Sequence, residues 1–280
     1  MRQTSHVLYI AVDSLLPVRG KSVVGFDEFT AALDHAGVPA VWVTSRSRLQ
    51  FDEPRRRLGH HHPFIAEDGC GVYLPEDYFH LRPDSRGRGG KSQTVRLGRF
   101  TCIPIAEPLP AAAEALESLS EETEVPIVAL RSLSPRELAQ NTGLAQREAE
   151  LARQRDFDDI FFFAGASDGQ IGTFLAQGRE RRLALRQHGV LWSAAIGADL
   201  SRCVKETSRL YDRALHHHAH SVGIATEQDA PGLLAHCDRS ILLVDSPEES
   251  AEKSSKRARP TRIQLGAEDT WDQVLESVGA

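Results

Sequence analysis

What this sequence lacks narrows it first. No apolar run approaches the ~18 residues that a bilayer-spanning helix needs, so nothing in the text signals a membrane crossing. The opening MRQTSH has neither the charged segment nor the apolar stretch of a secretory leader, and the expected compartment is the cytoplasm. Cysteine is scarce: Cys70, Cys102, Cys203 and Cys237 lie far apart and form no Cys-x-x-Cys pair. That argues against a disulfide framework or a cysteine-ligated zinc and leaves four lone thiols. A surplus of positive charge is also missing, since 33 Lys and Arg stand against 39 Asp and Glu. Such a balance gives no general pull toward nucleic acid or an anionic membrane, and an acidic ligand would need a local basic pocket.

What is present suits an ordinary globular protein. With 280 residues and 41% hydrophobic side chains, one large or two smaller domains can bury a real core. The run Val7 to Val12 is apolar at every position, the pattern of a strand buried on both faces of a parallel sheet, and it stops at Asp13. In open α/β sheets ligands sit beyond the carboxyl ends of strands, so Asp13 either marks a site or caps a turn. FDEFTAALDHAG (26–37) carries apolar residues at helical spacing, with Gly37 as the stop. Val38 to Val43 reads as a second buried strand that opens into Thr44-Ser45-Arg46. A right-handed crossover sets those two strand ends side by side, where they can share one ligand.

Further along, PFIAEDG reads as a third strand and GCGVYLP as the start of a hairpin. GRGGKS (87–92) imitates a phosphate-binding loop, but Ser85 stands where the motif's first glycine belongs and no buried strand precedes it. Residues 91–190 form a second compositional unit. Its expected elements are a strand over Thr94 to Ile105, a helix over Pro110 to Leu119, a strand over Pro126 to Leu130, and two short helices joined at Thr142-Gly143-Leu144. That pair resembles a helix-turn-helix, although glutamates lie among its arginines and no basic arm adjoins, so no nucleic-acid partner is expected. FDDIFFFAG is a strong strand, and GRERRLALRQHG (178–189) is expected as a basic helix.

VLWSAAIG, a helix from Leu200 to His216, SVGIA and ILLVD then return to the style of the opening. SPEESAEKSSKRARP reads as a solvated loop, and a last helix runs from Asp269 to Val278. The histidines His60 to His62, His216 to His218 and His220 hint at metal, but adjacent histidines on a helix cannot converge on one ion, and exposure to solvent is expected.

An α/β core interrupted by an inserted α+β unit is the order used by the haloacid-dehalogenase superfamily. Three stretches sharpen the likeness: PFIAEDGCGVYLPEDYF (63–79), TGLAQREAELARQRDFDD (142–159) and GAEDTWDQVLESV (266–278) resemble mannosyl-3-phosphoglycerate phosphatases. The resemblance implies a Rossmann-type core with a parallel sheet, in parts 1–88 and 191–280, with an inserted cap at 89–190. It also implies Mg2+-dependent hydrolysis of a phosphomonoester through an aspartyl-phosphate. That chemistry needs a nucleophilic aspartate, an acid–base aspartate two residues later, a hydroxyl on the phosphoryl oxygens, a lysine and a late acidic pair on the metal.

The motifs that would carry this chemistry are altered here. Where the family reads DxDGT, this chain has Ala11-Val12-Asp13-Ser14-Leu15. In the preferred register Asp13 takes the acid–base position and Ala11 the nucleophile's; in the other, Asp13 is the nucleophile and Leu15 replaces its partner. Thr44 and Ser45 keep the hydroxyl position. Leu200 stands where the lysine belongs, with Arg202 and Lys205 as nearby cations. The late pair becomes Thr226-Glu227-Gln228-Asp229, leaving Asp229, with Glu227 as a stand-in metal ligand beside Asp13. By resemblance and chemistry, Arg46, Glu67, Arg155 and Arg202 are the substrate-binding candidates, arginine pairing bidentately with phosphate or carboxylate. The favoured expectation is a member with lost or much reduced turnover that still binds a phosphorylated sugar acid, or a protein partner. The alternative is a working phosphatase that uses Asp13.

Overall fold

Continuously apolar β-type runs have nowhere to go but the middle of a sheet. The computed structural model describes residues 6–18, 21–80, 94–246 and 260–279. The chain begins with β1 (His6–Ala11), α1 (Phe26–Ala36), β2 (Ala40–Val43), α2 (Arg48–Arg57), β3 (Phe64–Ala66), β4 (Gly71–Leu74), β5 (Val95–Leu97) and β6 (Phe100–Pro104). It continues through α3 (Leu109–Thr123), β7 (Ile127–Ala129), α4 (Pro135–Thr142), α5 (Gln146–Ala152), β8 (Asp159–Phe163), α6 (Asp168–Glu180), β9 (Leu183–His188) and β10 (Leu191–Ile196). The last part holds α7 (Leu200–Leu215), β11 (His220–Thr226), a short α8 (Ala230–Leu233), β12 (Arg239–Val244), β13 (Thr261–Gln264) and α9 (Thr270–Val278).

Nine strands make the core sheet in the order β13-β12-β11-β1-β2-β3-β4-β6-β5, parallel from β13 to β3 and antiparallel beyond. β1 lies between β11 and β2, which is why its residues from Val7 on are all buried. Its alternate side chains feed two layers. Leu8, Ile10 and Val12 join Phe26, Trp42 and Trp271 on one face, while Val7, Tyr9 and Ala11 join Leu200, Cys203 and Val204 of α7 on the other. The cap is a separate antiparallel sheet, β7-β8-β10-β9. Phe161, Phe174, Leu116 and Leu119 pack α3 and α6 on one side of it.

Strand membership divides the chain elsewhere than at residues 89 and 190. β5 and β6 pair onto β4 and so belong to the core sheet, whereas β10, through Leu191–Ile196, pairs with β8 and β9 in the cap. The expected strand over Thr94 to Ile105 is a hairpin, folded at Gly98 with φ +60°. The expected basic helix over 178–189 ends at Glu180 in α6; Arg182 adopts φ +60°, and Leu183–His188 runs on as β9. Alternation in LALRQH, with Leu183 facing the core of the cap, outweighs the helix-like spacing of the arginines in GRERRLALRQHG. α5, the would-be recognition helix, is turned inward: Ala149 and Ala152 are buried and the Leu151 carbonyl accepts the Ser47 hydroxyl at 3.0 Å. Cys70, Cys102 and Cys203 are buried free thiols, and Cys237 is partly buried and free. GRGGKS and most of SPEESAEKSSKRARP lie outside the described residues, within which no helix is long and apolar enough to cross a membrane.

Candidate active-site cleft

The register Ala11 to Val43 between β1 and β2 brings their two carboxyl-terminal loops together. Asp13 turns back over the loop after β2. One carboxylate oxygen accepts the Thr44 hydroxyl and lies 3.4 Å from Arg46 Nε; the other accepts Ser45 N and Ser45 Oγ, both at 2.7 Å. The Arg46 guanidinium also donates to the Asp13 and Leu16 carbonyls and is 8% exposed. Burial lowers the Arg46 pKa, only partly opposed by the charges of Asp13, Asp229 and Glu148. The consequence is chemical: both Asp13 oxygens and both hydroxyls are committed to one another. Ala11, at the end of β1, is 6% exposed and packs in the apolar layer on α7.

Asp229 reaches the same loops from β11. It accepts Ser14 N and the Thr226 hydroxyl, each at 3.3 Å, and burial raises its pKa with help from the Asp13 charge. Glu227 points elsewhere, exposed and paired with Arg262 at 3.0 Å. Mg2+ favours several oxygen ligands in an octahedron and usually one or two carboxylates with waters. The donors here fit that poorly, because Asp13 already faces a fixed guanidinium and three hydrogen bonds fill its oxygens. Leu200 begins α7, whose N-cap Asp199 accepts Arg202 N at 3.0 Å; the Arg202 side chain is exposed.

The turn after β3 joins core to cap. Glu67, Asp68 and Gly69 all have positive φ, at 52°, 56° and 89°. Only glycine fits at 69, since a Cβ there would lie 2.8 Å from the main chain of Leu200. Glu67 is fully buried and accepts the main-chain N–H groups of Asp156, Phe157 and Asp158 at 3.0, 2.8 and 3.1 Å. Burial and the Asp158 carboxylate push its pKa up to about 8, against the pull of Arg155. Arg155 itself is sequestered: it pairs with Asp158 and donates to the Ser45 carbonyl at 2.6 Å.

Asp68 faces the cap. His188 Nε2 lies 2.8 Å from Asp68 Oδ2, Ser193 Oγ donates to the same oxygen at 3.2 Å, and Arg186 donates to the Asp68 carbonyl. Burial works to raise the Asp68 carboxyl, but its bond and charge with His188, aided by Arg186 and Arg155, hold it below its ordinary value. Burial likewise works to lower His188, and the same Asp68 contact, together with the Asp13 charge, raises it instead.

Of the residues singled out in the sequence, Asp13, Thr44, Ser45, Arg46 and Asp229 meet at adjacent strand ends. Glu67 and Arg155 lie at the core–cap joint with their polar atoms occupied, while Arg202 and Glu227 stand outside on the surface. Sequence reasoning missed Asp68, Arg186, His188 and Ser193. The available signal was strand alternation, which puts Arg186 and His188 on one face of β9, a relation that a helix does not give.

No protein-family model matches the chain. Glucosyl-3-phosphoglycerate/mannosyl-3-phosphoglycerate phosphatase from Methanococcoides burtonii is 24% identical over 159 residues, 56% of this chain and 55% of that protein. The phosphatase of the same name from Persephonella marina is 26% identical over 134 residues, 47% of this chain and 45% of its own length. The chain thus spans about half the length of the curated relatives it matches. Among solved structures, a phosphatase of the haloalkanoate (HAD) superfamily from Bacteroides thetaiotaomicron superimposes with TM-score 0.61 at 14% identity, covering 99% of this chain and 96% of the other. A haloacid dehalogenase-like hydrolase from B. subtilis does so with TM-score 0.60 at 11% identity, over 96% and 98%. The nine-stranded core sheet with its inserted cap is thus the fold of these haloacid dehalogenase-like structures.

Proposed function

We propose that the chain binds a phosphorylated sugar acid, of the glucosyl- or mannosyl-3-phosphoglycerate kind, in the cleft between core and cap, and turns it over slowly or not at all. The observation that carries this reading is the end of β1. In the preferred register the nucleophile's position is Ala11, a methyl group buried against α7, and a methyl cannot form a phosphoryl ester. Asp13 offers no ready substitute, because Thr44, Ser45 and Arg46 already occupy its oxygens. Leu200 in place of a lysine removes a point charge from the transition state, a loss on the order of 3 kcal/mol if comparable to removing one preorganised donor. The ligand class rests on the names of the relatives in Methanococcoides burtonii and Persephonella marina. Arg186 and His188, 36% and 32% exposed on the cap wall, supply positive charge for an anion.

A second reading has its own observation. Asp229 accepts the N–H of Ser14, the residue next to Asp13, so two carboxylates stand at neighbouring strand ends, a pair of the kind a Mg2+-dependent phosphatase needs. In that reading Asp13 is the reacting carboxylate and Asp229 is the acidic residue beside it.

Phosphate release from mannosyl-3-phosphoglycerate and from a generic phosphate ester, measured with Mg2+ on wild type and Asp13→Asn, separates the two. The expected result is no turnover by either protein, with mannosyl-3-phosphoglycerate raising the thermal midpoint of wild type by linkage. Turnover lost in Asp13→Asn would overturn the inactive reading in favour of the second. Neither turnover nor stabilisation would sink the small-molecule reading and leave a protein partner as the ligand to seek.

A further inference from the structure

A second meeting of donor side chains lies at the opposite end of the parallel strands from Asp13. Asp34 sits in the last turn of α1, and the loop from Gly59 to His62 that leads toward β3 runs beside it. Asp34 Oδ1 is 3.3 Å from His61 Nε2 and 4.0 Å from His62 Nε2, and one ligand atom from each residue lies within 4.8 Å of the others. The remaining ring nitrogens are already held. His61 Nδ1 is 3.3 Å from the Gly59 carbonyl, and His62 Nδ1 is 2.5 Å from the Tyr78 hydroxyl, which is 2.9 Å from the Tyr211 hydroxyl. Because a carbonyl only accepts, His61 Nδ1 must donate there. The Nε2 of a neutral His61 then turns a lone pair toward a carboxylate oxygen. That contact is repulsive unless a second proton or a cation lies between.

We propose that Asp34, His61 and His62 bind a divalent transition cation of the zinc type. Two imidazole nitrogens and one carboxylate oxygen suit such an ion better than Mg2+ or Ca2+, which prefer all-oxygen sets. Hydrogen bonds from the distal ring nitrogens to a carbonyl and a hydroxyl are the means by which metal-ligating histidines are oriented. Three protein ligands leave a fourth position for water, and the three side chains border a cleft of about 160 Å³ that Thr30, Leu33 and Trp42 also line. Asp34 and His61 are 58% and 57% exposed, so an ion reaches them without opening the core. The neighbouring His60 takes no part: its ring stacks on Trp42 at 3.9 Å, and its nitrogens meet the Ala40 carbonyl and Arg55 Nε. The bound ion would pin the end of α1 to the segment before β3. β2 separates this place from Asp13 by four residues at roughly 3.3 Å each, so the two sites are physically independent.

A control is built into the fold. His218, His220 and Asp238 also come within reach of one another, but all three are exposed and His218 Nδ1 is 3.1 Å from Asp212. The test is calorimetric titration of the chelator-treated full chain with zinc in excess Mg2+, with Co2+ as a visible-absorption probe. Wild type is expected to take up an equivalent of zinc that His61→Gln and Asp34→Asn each lose or bind at least about tenfold more weakly, while His218→Gln keeps it. Metal-free thermal midpoints matching wild type would establish that the two variants are folded. Cobalt absorption in the visible should follow the same pattern. No zinc uptake by wild type, an unchanged equivalent in His61→Gln and Asp34→Asn, or its loss in His218→Gln alone would overturn the proposal.

Discussion

Asp13 and Asp68 both stand at carboxyl ends of core strands, yet they are used in opposite ways. Asp13 draws its partners from the next core loop, Thr44, Ser45 and Arg46, and is tied inside one body. Asp68 draws His188, Ser193 and Arg186 from the cap and ties two bodies together. The first arrangement fills both oxygens of a carboxylate from within the core. The second makes a joint whose strength depends on protonation, because one of its partners is an imidazole.

The sign of that dependence follows from linkage. His188 is raised above its ordinary 6.5, so its contribution is complete at lower pH and is lost as pH rises through the raised value. Asp68 is held below its ordinary 3.8, so its contribution is present above that value and is lost as pH falls through the depressed one. Glu67, raised to about 8, adds stability that also drains away as pH climbs from 4.5 through 8. The joint is therefore firmest in mildly acid solution and loosens steadily as pH climbs through neutral into the alkaline range.

The harshest way to break the comparison is Glu67→Ala, which strips three buried N–H groups at the joint of their acceptor. Urea unfolding should show a loss of about 3–5 kcal/mol, at roughly 1–3 kcal/mol for each orphaned donor and with incomplete additivity. Next comes Asp13→Ala, which leaves the Arg46 guanidinium buried without its carboxylate. A loss of about 2–3 kcal/mol is expected by the same measurement, discounted because Asp13 is 26% exposed. Asp68→Asn should cost on the order of 1 kcal/mol at pH 6 and nearly nothing at pH 9, read from thermal midpoints at the two pH values. An equal cost at both would show that the joint does not titrate. His188→Gln has the smallest expected effect, a few tenths of a kcal/mol at alkaline pH, and its signature is a flatter midpoint-against-pH curve between 6 and 9. A curve as steep as that of wild type would assign the dependence to Glu67 rather than to the His188–Asp68 contact.

Much of the core was legible in the sequence. Val7 to Val12, Val38 to Val43 and the helix stopped at Gly37 are written in apolar runs and spacing, and the neighbouring ends of β1 and β2 follow from crossover handedness. Asp13 and Thr44-Ser45-Arg46 could be paired on that ground. Reading failed where local signals conflicted. GRERRLALRQHG carries arginines at helical spacing and, in LALRQH, apolar residues at strand spacing, and only the antiparallel pairing with β10 decides between them. That single misreading hid Arg186 and His188, the partners that the cap brings to Asp68. The histidine run failed differently. Exposure was expected for all of it, but His60 stacks on Trp42 and His62 bonds Tyr78, contacts made by residues distant in the chain.

By itself the sequence determined the α/β order of elements, the buried parallel strands and which residue types stand at their ends, because periodicity and apolar runs are local properties. It also determined that Ala11 and Leu200 carry no charge, whatever surrounds them. Only the tertiary structure decided what the charged groups do. Whether Asp13 is available, whether Glu67 faces a ligand or three main-chain donors, and whether Asp34 meets His61 all depend on partners tens of residues away. A carboxylate's role is set by the donors that fill its lone pairs, and those are chosen by packing.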